Sequence, residues 1–337
     1  MKRKTWSWII KIAGTVLILV FLFSRIRFDV SEFTKILLSL NPWYFMLSLC
    51  GVVIILGVKS YRWKYLLSGE NVDYHPLRAF SAYLASFTIG IVTPGRIGEI
   101  ARLYYVREES PVDFYEAFKT VIADRVFDLT ALMLLGSSGL LYYVKAFGNL
   151  PGYIYGLVML GAFLILYFLV WFLINRMLKM KFFGRFHILR FIRDSWKLIV
   201  DGRSLVCWLI TVVAYLVYFT TAGWIFDALH ISMSFMDVAF ILSIMSLVTI
   251  IPISIAGFGT REASLVFLLA QYGLPAETAL SFSLLQFLAF FLWGSLIGTV
   301  AWIMKPISLK LVKEDSIRIW QLIIGKDNEL KDRISGD

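Results

Sequence analysis

The sequence is poor in the residues that carry most soluble chemistry. It has 3 histidines and 2 cysteines in 337 residues. His75, His187 and His230 fall in three separate polar stretches, so no set has metal-ligand spacing and neither a metal nor any other cofactor is expected. Cys50 and Cys207 both lie inside apolar runs, which argues against a disulfide framework. No glycine-rich nucleotide loop is present. Charged residues make up 17% of the chain, against roughly 25% in soluble domains. The formal net charge is nevertheless +10. Because the basic residues cluster between apolar runs, this charge implies a membrane surface as partner, not nucleic acid.

What the chain does have is hydrophobic length. Apolar residues are 59% of the total, gathered in blocks long enough to cross a bilayer, for which a helix needs about 20 residues. The pattern predicts an all-α polytopic membrane protein. Spanning helices are placed at about 6–24, 43–66, 119–145, 152–175, 204–228 and 277–304. The first is read as a retained helix, because Ser24-Arg25-Ile26-Arg27 offers no small-residue cleavage site. The membrane domain takes in 1–305. The tail, 306–337, is expected to be cytoplasmic, with 307–324 lying on the inner surface as an amphipathic helix.

Two further apolar stretches, 79–106 and 236–271, are broken in the middle. The first breaks at Thr93-Pro94-Gly95-Arg96-Ile97-Gly98-Glu99. The second breaks between Pro252 and Glu262, through Gly257, Gly259 and Arg261. Proline and glycine end helices, and charged residues do not face lipid. Each stretch is therefore expected to be a re-entrant hairpin, entering and leaving on one side, with its irregular backbone shielded by protein or a watery cavity. Loop charge supports this. Segment 176–203 carries Arg176, Lys179, Lys181, Arg185, Arg190, Arg193, Lys197 and Arg203 against Asp194 and Asp201. Only two hairpins keep this loop and the other basic segments on the cytoplasmic side, with both termini cytoplasmic in the plasma membrane.

The broken stretches resemble each other. Pro94 precedes Gly98-Glu99, and Pro111 follows twelve residues after Glu99; Pro252 precedes Gly259 and Arg261-Glu262, and Pro275 follows thirteen residues after Glu262. Each sits between spanning helices. This gives repeat A, about 43–148, and repeat B, about 204–304, in inverted orientation, as in many secondary transporters. Second half-helices are expected to start near Arg96 and Thr260. Their free N–H groups, next to Gly95 and Gly259, together with Arg96, Arg102 and Arg261, would form a midplane anion site suited to phosphate. Glu99 and Glu262 are candidates for proton coupling or for pairing with arginine. So are Asp124, Arg125 and Asp128, where the two aspartates share a helical face and Arg125 points elsewhere. Gly294 and Gly298 read as helix packing.

The strings TPGRIGEIARLYYV from Thr93, DRVFD from Asp124 and IPISIAGFGTREA from Ile251 resemble the membrane domain of the lysylphosphatidylglycerol synthase/flippase family, the flippase-like or UPF0104 group, over about residues 10–305. The resemblance implies movement of a phosphate-bearing lipid, phospholipid or polyprenyl-phosphate type, between leaflets. It carries the roles above onto Arg96, Glu99, Arg102, Asp124, Arg125, Asp128, Arg261 and Glu262. Bifunctional members continue into a soluble aminoacyl-transferase domain. No such domain is present in this sequence, so synthesis of lysyl-lipid is not expected. The partners implied are an anionic lipid and the membrane. The alternatives are a non-catalytic partner of a lipid- or glycan-synthesis enzyme and a membrane-embedded lipid-modifying enzyme. Oligomerisation is left open.

Overall fold

A computed structural model describes residues 29–112, 114–147, 202–249 and 259–307. The spans expected at 6–24 and 152–175, the second break from Pro252 to Phe258 and the tail beyond Ile307 lie outside these residues. Within them the chain is helical, without strands. The order is α1 (Val30–Leu38), α2 (Pro42–Gly69), α3 (Pro76–Val92), a 3-10 segment (Pro94–Ala101), α4 (Arg102–Glu109), α5 (Phe114–Phe147), α6 (Ser204–Ala228), α7 (Phe235–Thr249), α8 (Thr260–Ala270), α9 (Ala276–Gln286), a π-helical segment (Phe287–Trp293) and α10 (Gly294–Met304). Helix starts follow local chemistry. Asn41 accepts from the Trp43 amide, and Pro42 occupies a first-turn position whose N–H has no helical partner.

Among the described residues, four helices are long and apolar enough to span: Pro42–Gly69, Glu116–Tyr143, Ser204–Ala228 and Ala276–Met304. They coincide with four of the expected spans. A helix of 28 residues is about 42 Å long, which exceeds a hydrocarbon core of roughly 30 Å. Both α2 and α5 therefore have length to spare at their ends.

The first broken stretch folds as a hairpin. Arg96 turns the chain with a φ of 58°, in the left-handed region that costs a bulky residue energy. Thr93 ties the turn: its hydroxyl donates to Gly90 O (2.9 Å) and accepts from the Gly98 amide (2.7 Å). The return limb lies against α3 because a Cβ on Gly98 would meet the Ile89 carbonyl. The two ends of the hairpin meet, since Arg78 near the start of α3 pairs with Glu109 at the end of α4 (3.1 Å). Lys305, just after α10, pairs with the same carboxylate, and Tyr105 donates to Lys305 O (2.9 Å). α7 and α8 pack on each other in the second half of the chain, and Tyr272 after α8 donates to Asp237 at the start of α7 (2.8 Å).

The halves pack by exchange. α2 lies antiparallel to α6: Asn41 N donates to Ala228 O (2.9 Å) at one end, and Arg62 meets Thr211 towards the other. α3 packs antiparallel on α10, where Thr88 donates to Ser295 O (3.0 Å) and a Cβ on Gly298 would strike the Leu84 carbonyl. α7 packs antiparallel on α5, where a Cβ on Gly139 would lie 3.0 Å from the Phe240 carbonyl. Each hairpin thus leans on the final span of the other half. The core between them is lined by Trp63, Leu67, Tyr83, Phe226, Leu242, Leu265 and Phe282, and Phe226 stacks on Phe282 at 4.0 Å.

At the end of α2, just past the span, Lys119 bridges Glu70 (2.9 Å) and Glu116 (2.6 Å). Burial, with the hydrogen-bonded Glu116 carboxyl beside it and Lys119 opposing, pushes Glu70 from its ordinary 4.5 up to about 7. The folded protein therefore holds this proton more tightly than the unfolded chain. The resulting stabilisation is complete below pH 4.5 and is lost as pH rises through about 7. Melting curves of the purified protein across that window should show Glu70→Gln flatter than the parent; parallel profiles would refute the assignment. Gly298→Leu should destabilise by about 1–3 kcal/mol through overpacking against α3. Gly223→Ala, where nothing lies within 4 Å, should be neutral or slightly stabilising. Melting temperatures of the two variants would check this, and equal effects would contradict it.

Candidate functional site

The charged residues of the first half form one buried cluster. Arg62 of α2 and Arg102 of α4 both hold Asp124 of α5. Arg62 Nε donates to Asp124 Oδ1 at 2.7 Å, and Arg102 Nη2 donates to Oδ2 at 2.8 Å. All three side chains are wholly buried. Arg62 also donates to Thr211 Oγ1 (2.8 Å) and Asp124 O (3.0 Å), and its Nη2 lies 2.9 Å from Asp128 Oδ1. Lys59, one turn before Arg62, donates to Asp128 Oδ2 at 2.9 Å. Three helices are thereby joined around two aspartates four residues apart on one face. Charges at this depth persist only when paired and hydrogen-bonded.

Aromatic rings complete the enclosure. The Arg102 guanidinium lies 4.9 Å from the Trp63 ring centre and 4.8 Å from that of Tyr83, a geometry in which the negative ring face favours a cation. Trp63 is itself fixed, because its indole N–H donates to Thr120 (3.2 Å).

Glu99 links the cluster to the hairpin turn. Its carboxylate meets Arg125 of α5 and lies 2.9 Å from Arg96 Nε. Arg125 sits next to Asp124 in sequence yet faces this second carboxylate, so the DRVFD string serves two partners from two faces. Arg96 lies 4.9 Å from the Phe87 ring centre. The cluster is closed on one side and open on the other: Arg102 is fully buried, whereas the side chains of Arg125 and Arg96 are 27% and 40% exposed.

Among the described residues the charges of this cluster do not cancel. Lys59, Arg62, Arg96, Arg102 and Arg125 contribute five positive charges, and Glu99, Asp124 and Asp128 contribute three negative ones, a surplus of two. Several buried donors also lack acceptors. Arg96 Nε, Arg102 Nε and Nη1 and Arg125 Nε have no hydrogen-bond partner among the described residues, and an unmet buried donor costs about 1–3 kcal/mol.

The second half is built differently. Arg261, at the start of α8, donates to Glu262 (2.6 Å) and to Ser283 (2.8 Å), and Ser283 donates back to Glu262 (2.7 Å). Gly259 has a φ of 89°, and its amide donates to Glu262 Oε2 at 2.6 Å. Glu262 therefore occupies an amide at the helix start that an anion would otherwise use. Arg261 also lies 5.6 Å from the Phe287 ring centre. One turn on from Ser283, Gln286 donates to Tyr218 (3.1 Å), while its buried Oε1 has no partner.

Several sequence expectations are therefore placed in space. Glu99, Arg102, Asp124, Arg125 and Asp128 come together with Arg96 beside them, whereas Arg261 and Glu262 form a separate neutral pair in the other half. The second half-helix of the first hairpin starts at Arg102, not Arg96, because residues from Pro94 to Ala101 wind as 3-10. Gly95 lies in that first 3-10 turn. Sequence reasoning missed Lys59, Arg62 and Thr211 as parts of the site. The available signal was Lys59-x-x-Arg62, two cations at i and i+3 on a spanning helix.

Comparison with known proteins agrees with this architecture. The chain matches the lysylphosphatidylglycerol synthase TM region over residues 8–298 and belongs to that family. It is similar to a UPF0104 membrane protein of Methanocaldococcus jannaschii, 24% identical over 293 residues, which covers 79% of this chain and 86% of that one. No solved structure matches it.

Arg62→Leu leaves two carboxylates short of a cation and should cost about 3–5 kcal/mol, the usual penalty for breaking a buried pair. Arg125→Leu, at the open edge, should cost less. Detergent melting temperatures and monodisperse yield would test this ranking, and a reversed order would show that Arg62 is not the structural anchor.

Proposed function

We propose that the chain moves a phosphate-bearing lipid between bilayer leaflets, with the headgroup meeting the Arg96–Arg125 edge of the cluster while the tails stay in hydrocarbon. The observation that carries this reading is the surplus of two positive charges in a cluster that is closed at Arg62 and Arg102, open at Arg96 and Arg125, and retains unmet guanidinium N–H donors. A protein that only needed to neutralise a broken helix would match its charges, as Arg261 and Glu262 do. An unmatched set at membrane depth is suited to a ligand that brings the missing negative charge and acceptor oxygens.

The architecture fits transport. Two halves whose first helices, α2 and α6, run antiparallel, and each of which lends its last span to the other's hairpin, suit an inverted repeat that rocks around a central site. On this reading the ends carrying Glu70, Glu109 and Lys305 face the cytoplasm of the plasma membrane, in keeping with the basic 176–203 segment. The family match is to a membrane region, consistent with translocation rather than synthesis. On this reading Glu99, paired with Arg96 and Arg125, couples movement to protons. Protonated, it would release both Arg96 and Arg125 to the phosphate, while ionised it would hold them closed.

Reconstituted full-length protein should move labelled anionic phospholipid between leaflets of liposomes. Arg125→Gln and Arg261→Ala, checked for folding by size exclusion, should each slow that movement at least about tenfold, in line with the loss of one member of a buried charge pair. If no lipid moves, or if both variants match the parent, the transport reading fails.

A further inference from the structure

The arithmetic of the cluster goes further than a preference for anions. Each carboxylate in it already faces cations: Asp124 faces Arg62 and Arg102, Asp128 faces Lys59 and Arg62, and Glu99 faces Arg96 and Arg125. Every carboxylate is thus already paired with two cations, so a headgroup carrying an amine would enter a field that is positive by two charges. A phosphodiester without an amine brings one negative charge and two unbridged oxygens. A phosphate monoester brings about 1.5 to 2 negative charges near neutral pH and three strong acceptor oxygens.

The donors match the second kind. Arg102 is fixed between Trp63 and Tyr83, and it spends only its Nη2 on Asp124 and, at 3.5 Å, on Val121 O, which leaves Nε and Nη1 without acceptors. Arg125 Nε is likewise buried and unmet. With Arg96 Nε, four unmet N–H positions face two unmet carboxylate oxygens, on Glu99 and Asp128, among the described residues, and this donor excess beside a double positive surplus calls for a ligand rich in acceptor oxygens that brings two charges.

We infer that the site selects a lipid ending in a phosphate monoester over phosphodiester lipids and over lipids with an amine-bearing headgroup. This rests on the reading of the cluster as the headgroup site. It is separable from transport, because selectivity is read from binding alone.

The test uses the full chain in lipid nanodiscs. Binding of phosphatidic acid, phosphatidylglycerol and phosphatidylethanolamine is measured by native mass spectrometry, with inorganic phosphate as competitor. At pH 7.5 phosphatidic acid should bind at least about tenfold more tightly than phosphatidylglycerol, and phosphatidylethanolamine weakest. The advantage should shrink at pH 5, below the second phosphate ionisation near about 6. Arg125→Gln lowers the surplus to one and should bring phosphatidic acid and phosphatidylglycerol towards equality, while Arg125→Lys keeps the preference. Arg96→Gln, at the most exposed position, serves if Arg125→Gln fails to fold.

Equal binding of monoester and diester by the parent, or a ratio that neither neutral variant changes, would overturn the inference. So would inorganic phosphate displacing phosphatidic acid at matching concentration, since the ligand would then be free phosphate. Selective binding without movement in liposomes would sink the transport reading and leave the selectivity standing.

Discussion

The structure of the first half depends on one requirement: a charge taken into hydrocarbon must find its opposite. Asp124 is where this requirement is met. Its two oxygens are divided between Arg62 and Arg102, so α2, α4 and α5 are held by a single carboxylate. Because α4 is the return limb of the hairpin, the same contact brings the re-entrant chain back to the side it came from. α2 also packs closely on α6 and α3 on α10, contacts that in a bilayer act through van der Waals packing rather than the hydrophobic effect. The ion pairs set the register, since helices bearing buried charges cannot slide without separating them.

The two halves share a packing plan and differ in electrostatics. Both put small residues where a hairpin meets the other half's last span, and both begin the returning limb near an arginine. In the second half the arginine is answered by the next residue and by Ser283, giving a closed neutral clasp. In the first half the arginines outnumber their partners. A shared scaffold thus holds one positively charged centre, open at Arg96 and Arg125, and one neutral centre.

Much of this was legible in the sequence, because charge inside an apolar run is conspicuous. Pro94 and Gly98 marked the first turn, and the four-residue spacing of Asp124 and Asp128 put them on one face, with Arg125 turned to another partner. What escaped was Arg62. It stands near the end of an apolar run beside Lys59 and Lys64, where basic residues ordinarily mark a cytoplasmic boundary and snorkel to water. The helix runs on to Gly69, however, and places Arg62 wholly inside. Its partners lie 62 and 149 positions away in the sequence, so no local pattern could have revealed them. The late start of α4 escaped for a related reason: a 3-10 turn and an α turn share almost the same composition, so the winding of Pro94–Ala101 could not be read from its residues.

The π-helical segment between α9 and α10 has its own consequence. Its wider turns take up an additional residue, and so set the rotational phase between two faces of one span: the Phe282 side, which meets α6, and the Gly294–Gly298 side, which meets α3. The number of residues between Gln286 and Gly294 is therefore as constrained as their identity. Substitutions there change only local packing. Removing one residue would turn every later side chain by about 100° and present bulk, instead of glycine, to the hairpin that carries the turn.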